Sequence, residues 1–162
     1  MRRPNKWMSS RAVVCTIAAT LALPVLHAGA QSEGGLYVAG AGFTFQQAVQ
    51  QAIAKNPGGQ RFFVLAIPPE TRALLTTATG TLAATRERAV AAGGVLYVCQ
   101  RDIDNGKIAA ANLAPGVIPV RGWPRVRTDA LPKGARYFRD EDPANLPASN
   151  NALRKLRSIC AD

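Results

Sequence analysis

Histidine is almost absent from this chain, cysteine is scarce, and no acid occurs before Glu33. The one histidine is His27, and the three cysteines are Cys15, Cys99 and Cys160. No apolar run reaches the ~20 residues that a membrane-spanning helix needs. The longest, Ala12 to Leu26, is interrupted by Thr16, Thr20 and Pro24.

The first eleven residues carry Arg2, Arg3, Lys6 and Arg11 ahead of that apolar run. Pro24 breaks the run, and Ala28-Gly29-Ala30 follows as the small-x-small pattern that a signal peptidase accepts. The expectation is a secretory signal peptide over residues 1–30, cleaved after Ala30, and an exported, most simply periplasmic, mature chain. Cys15 follows too little apolar sequence to be a lipidation site.

Cleavage would narrow the chemistry. His27 leaves, so the mature chain holds no Ser-His-Asp or Cys-His machinery and no histidine metal ligand. Cys99 and Cys160 alone do not make a structural zinc site, and no cofactor is expected. Four of the 20 basic residues lie in the first 30 and all ten acids lie beyond them, so the net charge falls from +10 to +6.

The residues after 30 suffice for one compact domain with a real core, and strand and helix signals alternate along them. Leu36 to Ala39 reads as a strand running into a turn at Gly40 and Gly42. Thr44 and Gln47 form a capping box for a helix whose Phe45, Ala48, Val49, Ala52 and Ile53 share one face. Phe62 to Ile67 is uninterruptedly apolar, as in a parallel strand covered on both sides. Pro68-Pro69-Glu70 opens a helical stretch carrying Leu74, Leu75, Leu82 and Val90, broken near Gly80 and ended by Gly93-Gly94. Val95 to Cys99 is a third strand, Asp102 to Leu113 a short helical or loop segment, and Val117 to Val120 a fourth strand. Pro119 confines that strand to an edge.

This alternation predicts a three-layer α/β sandwich around a small, mostly parallel sheet of about four strands. Residues 121 to 147 hold four prolines and little periodicity, an extended arm leading to a last helix from about Ser149. Leu153, Leu156 and Ile159 form the apolar stripe of that helix, with Arg154, Lys155 and Arg157 on its wet side. Three regions are thus expected: residues 1–30 as signal peptide, 31–122 as the α/β domain, and 123–162 as a Pro/Arg-rich arm and helix packed on it.

Gly94-Val95-Leu96-Tyr97-Val98-Cys99, then Asn112-Leu113-Ala114-Pro115-Gly116-Val117-Ile118-Pro119-Val120, resembles the carboxy-terminal half of the DsrE-like family. The helix from Thr44, the strand from Phe62 and Arg72-Ala73-Leu74-Leu75 sit where its earlier elements would, so the resemblance covers about residues 36–122. It implies a parallel-sheet α/β domain that often oligomerises. In sulfur-relaying members the cysteine closing this strand carries a persulfide, which by position is Cys99. Phe62 to Ile67 with Pro68 and the Leu-Leu helix is also similar to TrbC-like periplasmic components of conjugation and secretion machines.

Cys99 has three readings: a reactive, catalytic thiol, an inert buried thiol, or one half of a disulfide with Cys160, which an oxidising compartment favours. A reactive Cys99 would gain from a helix amino terminus and from Arg101, and would be opposed by Asp102 and Asp104. Gly40-Ala41-Gly42 only partly matches a dinucleotide fingerprint, because Phe45 takes the third glycine position; a glycine turn accounts for it. The contiguous Asp140, Glu141 and Asp142 point in different directions and are expected in solvent.

Arg121, Arg125, Arg127 and Arg136, with Lys133 and Arg139, are interleaved with Trp123, Tyr137 and Phe138. They are candidates for binding an anionic partner, or else a solvated arm pinned by its aromatics. No motif for sequence-specific nucleic-acid binding is present. Two functions from different classes follow: a non-enzymatic exported adaptor whose partner is a protein or a second copy, and a sulfur relay working through Cys99.

Overall fold

The structure is a computed structural model of the 162-residue chain and describes residues 35–125, 130 and 136–161. The expected signal peptide lies outside the described residues, as do Arg127 and Lys133.

Four strands, β1 (Leu36–Ala39), β2 (Phe62–Ala66), β3 (Gly94–Cys99) and β4 (Val117–Val120), form one sheet in the order β1-β2-β3-β4. Every pairing is parallel. The expected α/β architecture is therefore present, and β4, which contains Pro119, lies at an edge.

Sequential order has a geometric consequence. Right-handed crossovers between neighbouring parallel strands all fall on the same side of the sheet. Here they contain α1 (Phe45–Lys55), α2 (Gly80–Ala91) and the short α3 (Gln100–Asp104). Phe45, Ala48, Val49 and Ala52 of α1 and Ala89 of α2 pack with Phe62, Val64, Ala66, Leu96 and Val98 in one core. The alternate strand residues Phe63, Leu65, Tyr97 and Cys99 point to the opposite face, which the crossovers leave open.

α4 (Asn150–Ile159) closes that face through Leu156, with Cys160 just beyond its end and Ile159 alongside. The arm contributes as well, since the Tyr97 hydroxyl donates to the Asn145 carbonyl. The segment that the sequence sets apart thus supplies the third layer. It packs closely at Gly122, where a Cβ would overlap the Cys160 carbonyl. The Trp123 amide donates to the Arg157 carbonyl at 3.1 Å beside it.

Local signals explain α1. Thr44 Oγ1 accepts from the Gln47 amide and Gln47 Oε1 accepts from the Thr44 amide, the expected capping box. Gly40, at φ 103°, turns the chain out of β1, and a Cβ there would lie 2.6 Å from the Ile67 carbonyl oxygen. The turn is required by this close approach to β2, and Phe45 is wholly buried in the core.

The segment after β2 departs from expectation. Glu70–Leu74 is a 3-10 turn, and α2 starts only at Gly80. The expected break near Gly80 is present, but tertiary hydrogen bonds outcompete an α-helix between Glu70 and that break. Arg86 Nη1 donates to the Ala73 and Leu75 carbonyls, Ala114 N to Leu74 O, and Thr76 N to Asn112 O. Glu70 does not serve the first turn of its own segment: its carboxylate accepts from the Phe45 amide at 2.7 Å, capping α1. Val90, expected on the apolar side of α2, is 52% exposed.

Gly122→Ala should destabilise the protein by about 2 kcal/mol or more, because the overlapping atoms belong to backbone and cannot rotate away. Urea unfolding monitored by circular dichroism measures this. A change under 0.5 kcal/mol would show that α4 does not seat this closely.

Candidate functional site

Cys99 closes β3 and is the N-cap residue of α3, the position at which the sequence places a candidate catalytic thiol. It is fully buried and disulfide-bonded to Cys160, with a Cα–Cα distance of 5.1 Å. Of the three readings left open for Cys99, the bonded one is the one observed. In this oxidised form the sulfur carries no titratable thiol. The bridge spans 61 positions and joins the carboxyl end of a central strand to the end of the helix that covers it.

The charged neighbours are engaged elsewhere. Arg101, expected to favour a thiolate, donates from Nη1 to the Ile159 and Ala161 carbonyls at 3.2 and 2.5 Å. It therefore caps the carboxyl end of α4, where a cation also complements the helix dipole. Asp104 accepts from Gln100 Nε2. Asp102 is fully buried; its Oδ1 lies 3.4 Å from Lys107 Nζ and 3.5 Å from Arg101 Nε. Its Oδ2 has no hydrogen-bond partner among the described residues. Gln100, Arg101, Asp104, Arg121, Gly122 and Tyr137 line a recess of about 130 Å³.

The sheet order bears on this site. Open α/β sheets bind ligands where the strand order reverses and adjacent crossovers part to opposite faces. No reversal exists in the order β1-β2-β3-β4. Cys99 therefore opens onto no such crevice: it lies at the carboxyl end of β3, packed with Leu156 of α4 and bonded to Cys160.

A second cluster sits next to the first. Arg157, expected in solvent, is 2% exposed. It makes a bidentate pair with Glu141, Nη1 to Oε1 at 2.9 Å and Nη2 to Oε2 at 2.5 Å. It also donates to the Arg121 carbonyl at 2.6 Å and stacks over Phe138, 3.4 Å from the ring centroid. Trp123 meets Phe138 edge-on. Glu141, also expected in solvent, is thus the partly buried half of an ion pair with the buried Arg157, and Asp142 accepts from the Ala144 amide. The signal for Arg157 was in the helix spacing: Leu153, Leu156, Arg157 and Cys160 fall at i, i+3, i+4 and i+7. A stripe drawn through Ile159 instead hides it.

The candidate anion-binding residues do not share this cluster's side-chain contacts. Arg121, Arg125 and Arg136 are exposed and make no ion pair with another described residue. Arg121 enters the cluster only through its backbone, its amide donating to Glu141 Oε1. Arg127 is outside the described residues. Among the described residues no group of histidine, cysteine or acidic side chains is arranged to hold a metal ion.

Two perturbations separate the contributions. Cys160→Ser removes a cross-link of 61 positions and should cost roughly 4 kcal/mol by loop entropy. Glu141→Ala leaves a buried guanidinium uncompensated and should cost about 3 kcal/mol, while Glu141→Gln combined with Arg157→Met should recover more than half of that loss. Denaturant titrations of the oxidised proteins give both values. Equal stability of Glu141→Ala and the parent would show that the pair is solvated.

The chain matches no family model, no curated protein and no solved structure.

Proposed function

We propose that this chain is an exported, non-enzymatic adaptor of the periplasm, an α/β scaffold that presents surfaces to other components of an envelope assembly such as a conjugation or secretion machine. The observation that carries the reading is the state of Cys99, the single catalytic candidate, which is buried and bonded to Cys160. A buried bridge between the sheet and its covering helix is what a structural cysteine pair provides.

Other features agree with it. The amino-terminal sequence has the three parts of an export signal, and disulfides persist in the oxidising compartments to which such signals lead. No helix among the described residues is long and apolar enough to cross a membrane. Arg101, the cation nearest in sequence to Cys99, donates to the Ile159 and Ala161 carbonyls at the end of α4.

The sulfur-relay reading makes a contrary demand: Cys99 must be released from Cys160, accept sulfane sulfur from a persulfide donor, and return the donor as a thiol. Intact mass spectrometry of the purified protein decides between the two. The adaptor should rise by about 2 Da on reduction and show no further change when the oxidised protein meets glutathione persulfide. A stable gain of about 32 Da, lost in Cys99→Ser, would overturn the adaptor reading in favour of sulfur transfer.

A further inference from the structure

The two edges of the sheet differ. β4 carries Pro119, and the chain leaving it is bound to α4 and the arm through Arg121, Gly122 and Trp123. β1 contains no proline, and no described strand pairs with its outer side. On its inner side, Phe63 N donates to Gly35 O at 3.3 Å and Ile67 N donates to Ala39 O at 3.0 Å. In a parallel ladder that register turns the peptide groups of Gly35, Tyr37 and Ala39 toward β2. The amides and carbonyls of Leu36 and Val38 consequently face outward, and no described strand pairs with them.

A groove of about 400 Å³ runs along this edge, between α1 on one side and α4 on the other. Leu36, Val38, Ile67 and Ile159 give it an apolar lining, and Phe43, 49% exposed, stands at the carboxyl end of β1. Lys55 from the last turn of α1 and Lys155 from α4 line it from opposite sides. No Asp or Glu lines it, and neither helix contains an acid.

We propose that this groove docks an extended acidic peptide, which adds to β1 as a fifth strand. Strand addition takes affinity from main-chain hydrogen bonds and specificity from pockets for alternate side chains. Here the outward groups of Leu36 and Val38 provide the first. The apolar lining and the two lysines provide the second, selecting apolar residues that alternate with acids. Charge complementarity rules against a second copy as the occupant, because pairing β1 with β1 would bring two sets of Lys55 and Lys155 together. The proposal deepens the adaptor reading by naming its partner class. Sulfur gain at Cys99 would overturn that reading and leave the groove standing, whereas failure of peptide binding would overturn the groove alone.

The probe is an end-blocked, fluorescein-labelled peptide of alternating glutamate and valine, titrated into the oxidised protein and followed by anisotropy. A lysine-valine peptide serves as the counterpart. Saturable binding of the acidic peptide is expected, on the order of tenfold tighter than the basic one, and Lys55→Glu combined with Lys155→Glu should reverse the preference. Val38→Pro removes an outward amide without touching the bonds to β2, an edge position where proline is tolerated. It should abolish binding while the melting temperature stays near the parent value. Should Val38→Pro unfold, the lysine reversal, confined to exposed side chains, carries the test alone. Absence of binding, indifference to the lysine reversal, binding retained by a folded Val38→Pro, or concentration-dependent dimers that Val38→Pro abolishes would each overturn the proposal.

Discussion

Right-handed crossover is the constraint from which the rest of this architecture follows. Four parallel strands in sequential order place every connecting helix on one face, so Phe63, Leu65 and Tyr97 would meet water on the other. Folds that reverse their strand order cover both faces with their own crossovers. This one depends on the chain beyond β4. α4 and the arm form a layer, and each of their fastenings to the sheet can be understood as holding that layer down.

The fastenings act through different physics. Burial of Leu156 and Ile159 supplies non-directional attraction, with Ile159 only partly covered. The Cys99–Cys160 bridge acts chiefly on the unfolded chain, by closing a long loop. The Arg157–Glu141 pair adds direction: a bidentate fork fixes which turn of α4 faces the arm, although desolvation offsets most of its attraction. Gly122 sets the distance, since only a residue without Cβ admits the Cys160 carbonyl so close. Loss of the bridge alone would therefore leave α4 held by packing and by the fork. Reduction is accordingly expected to loosen this layer rather than release it.

What the sequence reveals about this fold follows from how local each determinant is. β2 was legible because a run buried on both faces has no polar alternation to confuse it, and all five of its residues are buried. Thr44 and Gln47 announced α1 because a capping box needs only four consecutive residues. Pro119 located an edge from a missing donor. By contrast, Glu70 caps a helix 25 residues earlier, and Arg86 satisfies carbonyls of the segment that precedes α2, so neither role has a signature in its neighbourhood. Arg157 misled for another reason. A charge on a helix is read as exposed unless its partner is known, and Glu141 lies in a segment without periodicity.

The candidate site was legible as a position but not as a state. A strand ending in cysteine and entering a helix marks Cys99 from the sequence alone, whereas the partner of that cysteine depends on how α4 returns across the sheet. The same return shapes β1. By lying against the face that the crossovers leave open, α4 brings Lys155 and Ile159 to the side of β1 opposite Lys55 of α1. A helix placed to complete the core thus also walls the groove at the β1 edge, which no described strand covers. Closure of the second face and presentation of an open edge are two results of one chain reversal, so changes that unseat α4 should alter the groove without touching β1 itself.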